Sequence, residues 1–252
     1  MIEVLESFDL SVWVWILSVM CGVFVGMAKT GISGLGMLIV PVLAAIFGGK
    51  PSVGILLPML CVGDIFAVKY YHRHAEWKYV LRLMPWAITG IIIGVAVGNY
   101  ISDIRFKQII AAIILISIPF MIWRERQSNQ VAIPNYRWIT AIAGLAGGFA
   151  TMIGNAAGPI MAIYLLSMQL PKNSFIGTAA WFFMIVNLLK IPLHVFIWHT
   201  ITIRTLSFDF IMIPAIAAGA LLGVGIVKII PEKPYRIFII IMTIAASFKL
   251  FF

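Results

Sequence analysis

The chain reads as a succession of long apolar stretches separated by short charged ones. Windows almost free of charge run over 10–28, 30–49, 51–68 (interrupted by Asp64), 83–102, 108–123, 138–171, 173–189 (continuing past Lys190), 210–227 and 237–248. A bilayer's hydrocarbon core is about 30 Å thick and takes about 20 apolar residues to cross as a helix. Most windows fit one crossing. Residues 138–171 do not, because a single helix of that length would run about 51 Å. The middle of that window, Gly154-Asn155-Ala156-Ala157-Gly158-Pro159, is poor helix and holds a polar amide. The spacing therefore predicts two helices meeting at a break. Non-helical backbone at membrane depth survives only where protein buries it or it lines a cavity. Counted this way the chain has about eight spans, or about ten helical segments when each broken pair is taken as two.

The pattern occurs twice. Pro85-Trp86-Ala87-Ile88-Thr89-Gly90-Ile91-Ile92-Ile93-Gly94-Val95 and Pro214-Ala215-Ile216-Ala217-Ala218-Gly219-Ala220-Leu221-Leu222-Gly223-Val224 are both PxxxxGxxxGV. At the same spacing Asp103, Phe106 and Lys107 meet Glu232, Tyr235 and Arg236, and nearer each start Gly26 and Gly36 meet Gly148 and Gly158. The expectation is an all-α polytopic membrane protein of two inverted repeats. Each repeat is a broken or re-entrant helix pair plus three transmembrane helices. The first repeat is 1–123, a cytoplasmic linker is 124–136, and the second repeat is 137–252.

Charge placement agrees with inverted halves. Lys69, Arg73, Lys78, Arg82, Arg124, Arg126, Arg137, Lys172, Lys228, Lys233 and Arg236 fall in loops on one side; only Lys50, Arg105, Lys107, Arg204 and Lys249 fall on the other. Loops rich in lysine and arginine stay inside, which puts both termini outside a cell (cytoplasmic, inner) membrane in a multi-pass protein. The chain is 62% apolar and 11% charged, against about 25% charged in soluble domains. Its net charge of +9 sits in those loops, so membrane lipid headgroups are the expected partners and nucleic acid is not. The acidic start MIEVLESFDLS lacks the basic region of a signal peptide, so the first span is expected to stay as an anchor. A homo-oligomer is compatible with the sequence, which sets no number of copies.

The candidate chemistry lies at the breaks. The first spans Lys29-Thr30-Gly31-Ile32-Ser33-Gly34-Leu35-Gly36 and the second Thr151 to Pro159. Ser33 and Asn155 suit a helix N-cap, and Pro159 suits a first turn. A helix N-terminus offers free N–H groups and a positive dipole end to an anion. Two inverted breaks facing each other would aim two such ends at one central point. The candidate substrate-binding residues are Lys29, Thr30, Gly31, Ser33, Gly34, Gly36, Thr151, Gly154, Asn155, Gly158 and Asn187. An ionisable group at depth is functional by default, with snorkelling the competitor. Lys29 is expected to attract an anion. Asp64 pairs with a lysine or carries a coupling proton, and Lys190 either snorkels or lines a path. Gly90, Gly94, Gly219 and Gly223 are read as tight helix-packing positions. Trp77, Trp86, Trp123, Trp138 and Trp198 are read as interface anchors. Cys21 and Cys61 are read as core filler, and no metal or other cofactor is implied.

GMAKTGISGLGMLIVPVLA, GFATMIGNAAGPIMAIYLL and the HRHAEWK loop before a PxxxxGxxxG span resemble the sulfite exporter TauE/SafE family, over nearly the whole chain. The resemblance implies an integral membrane transporter exporting sulfite, small organosulfonates or other sulfur-containing anions. With broken helices at depth, it points to a secondary transporter working by alternating access, not an enzyme. A passive anion channel or a membrane assembly subunit is the alternative. An intramembrane serine protease is the remote one: Gly31-Ile32-Ser33-Gly34 fits GxSG and His194 lies in a later span, but the repeat explains that motif better.

Overall fold

The computed structural model describes residues 10–30, 34–126, 137–226 and 232–251. Among them the regular structure is helical: α1 Val12–Thr30, α2 Leu35–Phe47, α3 Gly49–Tyr71, α4 Trp77–Tyr100, α5 Asp103–Arg126, α6 Arg137–Gly154, α7 Gly158–Ser167, α8 Lys172–Phe196, α9 Ile203–Ile226 and α10 Glu232–Phe248, with a 3-10 turn at His72–His74. The ten segments expected from the windows are thus present, and both breaks fall where the glycines are. Among the described residues five helices are long and apolar enough to cross a membrane: Val12–Thr30, Gly49–His74, Trp77–Tyr100, Asn173–Phe196 and Ile203–Gly223. Several boundaries differ from the windows. α4 starts at Trp77 rather than 83 and α9 at Ile203 rather than 210, because helix tolerates charge in its terminal turns. α5 runs to Arg126, past the expected start of the linker; residues 127–136 lie outside the described region.

The chain's path follows from a few contacts. Trp15 near the start of α1 and Phe47 at the end of α2 both pack on Phe208 near the start of α9, with ring centroids 5.4 and 5.5 Å apart. α1 and α2 therefore form a hairpin whose two open ends share one face. On that face the carboxylate of Asp103 accepts the backbone N–H groups of Gly49 and Lys50 at 3.1 and 3.0 Å. It so caps α3 from the first turn of α5. Lys50 extends over the Trp198 ring, 5.4 Å from its centroid. At the opposite face Glu76 donates its N–H to Thr178 Oγ1 at 2.9 Å, and Trp77 stacks on Trp181 at 5.1 Å. α3, α4 and α8 turn round there.

Two helix pairs are packed backbone to backbone, as small residues allow in lipid. Along α1 and α9 a Cβ on Gly26 would collide with the Ile216 carbonyl, one on Gly219 with Val23, and one on Gly223 with Thr30. Along α4 and α6 a Cβ on Gly90 would strike Leu145, one on Gly94 Met152, and one on Gly148 the Ala87 carbonyl. The four PxxxxGxxxG glycines are packing positions, as the sequence suggested. Cys21 and Cys61 are buried free thiols. Trp198 departs from expectation. It is 7% exposed, fills the notch left by Gly98 and meets Phe106 edge-on. The loop after α8 dips into the protein instead of lying at the lipid surface, so Trp198 is core. Trp77, Trp86 and Trp138 are exposed, as anchors require.

Candidate functional site: the paired helix breaks

Both breaks turn through left-handed backbone. At the first, α1 ends at Thr30, whose hydroxyl donates to the Gly26 carbonyl at 3.0 Å. Gly34, with φ 95°, sits ahead of Leu35, a conformation glycine adopts without a Cβ penalty. Gly31 and Ser33 lie outside the described residues. At the second break Asn155 has φ 51°, a region asparagine tolerates better than most side chains. Asn155 is not the expected N-cap. α7 begins at Gly158, and the Asn155 amide is used elsewhere: its Nδ2 donates to the Val53 carbonyl of α3 at 3.2 Å. Pro159 does stand in the first turn of α7. A Cβ on Gly36 or on Gly158 would meet nothing within 4 Å among the described residues. The space in front of each new helix start is therefore open.

Lys29, next to the end of α1, packs beside Gly63 and Asp64, and Asn155 of the second break lies beside Val53. Those levels are about 15 Å apart along α3 at the helical rise. A buried polar stripe on α8 spans the gap. Asp64 is fully buried and receives Lys29 Nζ at 2.6 Å on Oδ1. Its Oδ2 accepts Asn187 Nδ2 at 2.7 Å. One turn on, Lys190 is fully buried. Its ammonium donates to the Thr151 carbonyl at 3.0 Å, Thr151 Oγ1 at 3.0 Å and Asn155 Oδ1 at 2.6 Å. A further turn on, His194 Nδ1 and Thr200 Oγ1 are 2.8 Å apart.

Of the two readings open for Asp64 and Lys190, the geometry takes pairing for the first and the interior for the second. Lys190 does not snorkel. Its three N–H groups are met by three oxygens, none of them a carboxylate. Lys29 has its charge balanced by Asp64, and its ammonium also lies 4.9 Å from the Phe183 ring centroid. Counting Lys29, Asp64 and Lys190 as ionised, the stripe holds one positive charge in excess. The site residues fall into two neighbouring clusters one turn apart on α8: Lys29, Asp64 and Asn187, and Lys190, Thr151 and Asn155. Gly154 is buried at the end of α6. Reading the sequence missed Thr200 and the Val53 carbonyl, since neither residue type stands out, and it noted His194 only in the protease alternative. His194 turns to Thr200.

A family model described as sulfite exporter TauE/SafE matches residues 18–250. No curated protein and no solved structure matches the chain. The match spans nearly the whole chain, so the chain belongs to that family: it is a multi-pass membrane protein of a transporter family, not an enzyme.

Proposed function

We propose that this member of the TauE/SafE family is a secondary transporter that exports a small sulfur-containing anion, sulfite or an organosulfonate, across the cytoplasmic membrane by alternating access. The observation that carries the reading is Lys190. It is a fully buried cation at the second break, held by three oxygens and by no acid. A buried charge without a counterion is costly, and an arriving monoanion supplies the missing counterion. The anion takes the place of one oxygen acceptor, most simply Asn155 Oδ1, whose amide turns. The open approach at Gly158 lets it reach backbone N–H groups at the start of α7, and the one at Gly36 offers the start of α2 as a separate step along the path. Thr30 and Gly34 flank the corresponding approach at the first break, with Gly31 and Ser33 proposed to contact the anion there, and Asn187 with Asp64 lies between.

The packing supports two inverted halves. α1 of the first half lies on α9 of the second, and α6 of the second lies on α4 of the first. Asp64 and Asn187, joined by a hydrogen bond, are 123 positions apart, close to the spacing of the glycine repeat. In this reading the packed pairs α1–α9 and α4–α6 move as units around the central α3–α8 seam.

The test is calorimetry on purified protein with sulfite, sulfoacetate, taurine, sulfate and chloride, followed by sulfite counterflow in proteoliposomes. Sulfite or a sulfonate is expected to bind and exchange, with chloride and cations not competing. A protein that binds only a cation, or none of these anions, overturns the reading. Steady one-way flux without counterflow would make the protein a channel.

A further inference from the structure

The stripe just described leaves one buried acid unused. Asp209 lies about two turns into α9 and is 5% exposed. Neither of its carboxyl oxygens has a hydrogen-bond partner among the described residues. Its neighbour Phe208 is wedged between Trp15 of α1 and Phe47 of α2, and Met212, one turn on, is fully buried. Asp209 thus lies in a sealed apolar seam, near the face shared by the open ends of the α1–α2 hairpin.

Among the described residues the surrounding elements offer no counterion there. The titratable groups of α1 are Cys21 and Lys29, and Lys29 is taken by Asp64. α2 has none within Leu35–Phe47. On α3, Lys50 lies over Trp198, Asp64 is paired, and Lys69 stands in the last turn at the far face. On α9 itself, Arg204 stands in the first turn. Cys61 remains, a buried free thiol one turn before Asp64. A carboxylate sealed without donors or a cation is strongly disfavoured. The neutral acid is the form this seam accepts.

We propose that Asp209 is the proton-carrying residue of the transporter. In the state described here its carboxyl holds a proton. When α9 and α1 move together away from α2 and the seam opens to water on that side, the O–H bond breaks, the proton passes to water and the carboxylate remains. Reprotonation from the other side is required before the seam closes again. Because α1 also carries Lys29 and the first break, that motion links proton release to the anion site. The inference rests on the transport reading for its coupling role, but the protonation itself does not.

Two measurements separate the claims. Infrared spectroscopy of purified protein reads the carbonyl stretch of buried protonated carboxyl groups. That band is expected in the wild type near neutral pH and is expected to be lost in Asp209→Asn, which is isosteric with the neutral acid, or in Asp209→Ser should the first express poorly. A band unchanged in both variants, or none in the wild type, overturns the proposal whether or not the protein moves anions. In proteoliposomes loaded with sulfite, Asp209→Asn is expected to keep sulfite–sulfite exchange within about twofold and to lose accumulation driven by a pH gradient. Retained pH-driven accumulation, or accumulation driven by sodium and indifferent to pH, overturns the coupling role. Absence of any sulfite exchange in the wild type would instead remove the transport reading and leave the infrared result standing.

Discussion

Lys190 and the Lys29–Asp64 pair are chemically similar and are expected to answer mutation in opposite ways. Lys190→Met removes the excess charge and leaves Asn155 Oδ1 and Thr151 Oγ1 without a donor. Hydrogen bonds to charged groups contribute about 1.5–3 kcal/mol, and about 1.4 kcal/mol is a factor of ten. Sulfite affinity measured by calorimetry should therefore fall at least about tenfold. Asn155→Asp should abolish binding as well, by placing a permanent carboxylate against Lys190, while the new ion pair offsets the lost N–H donation to the Val53 carbonyl and keeps the protein folded in a thermal melt. An Asn155→Asp protein that binds sulfite normally would remove the anion from this break. The pair on α1 and α3 is a matter of stability. Breaking a buried pair from one side costs about 3–5 kcal/mol, whereas replacing both partners with apolar groups is often neutral. Asp64→Asn should lower the thermal midpoint in detergent more than the double substitution Lys29→Met with Asp64→Leu. The reverse order would mean the pair does not hold α1 to α3.

Helices show the same division between packing and opening. Gly219 faces the Val23 backbone and Gly158 faces open space, although both are glycines in glycine-rich segments. Gly219→Leu forces α1 from α9 and should cut yield and thermal stability sharply; overpacking a tight contact costs about 1–3 kcal/mol in milder cases. Gly158→Leu should leave the fold and yield intact while blocking sulfite flux. Normal flux in that variant would place the path elsewhere. The breaks themselves were legible, because an uncharged run too long for one crossing must turn. The partners of the break residues were not. Lys190 meets Asn155 across 35 positions and Asp64 meets Asn187 across 123, and no local pattern encodes which side chain of a buried stripe reaches which oxygen. Asp209 escaped for a related reason. An acid near a span's start reads as the edge of the apolar window, which was drawn from 210, while the helix itself begins at Ile203. Trp198 escaped because aromatic residues beside a turn resemble interface anchors, and only tertiary packing separates the two cases.

At the scale of the molecule, the described helix ends fall on two faces that match the lysine and arginine asymmetry. The turn through His72–His74 and the start of α8 lie on the face opposite Asp103 and Trp198. In a background with Cys21 and Cys61 replaced, a cysteine at Ala75 should be labelled from the cytoplasm by an impermeant reagent, and one at Ser102 from outside. Labelling of both from the same side would contradict the fold, and a simple exchange of the two would reverse its orientation.

The packing of α1 on the distant α9 has a further consequence for biogenesis. About two thirds of the chain lies between the end of α1 at Thr30 and the start of its partner α9 at Ile203, so the ribosome releases α1 long before the surface it packs against exists. During synthesis α1 must hold its place in the bilayer by hydrophobicity alone, with Gly22 and Gly26 facing lipid instead of a neighbour. Neither half then has a complete set of contacts by itself. A gene split inside 127–136 should yield two fragments that are degraded when expressed singly and that accumulate and restore sulfite exchange when expressed together. Quality-control proteases would thereby read the arrival of α9 as the signal that the molecule is finished.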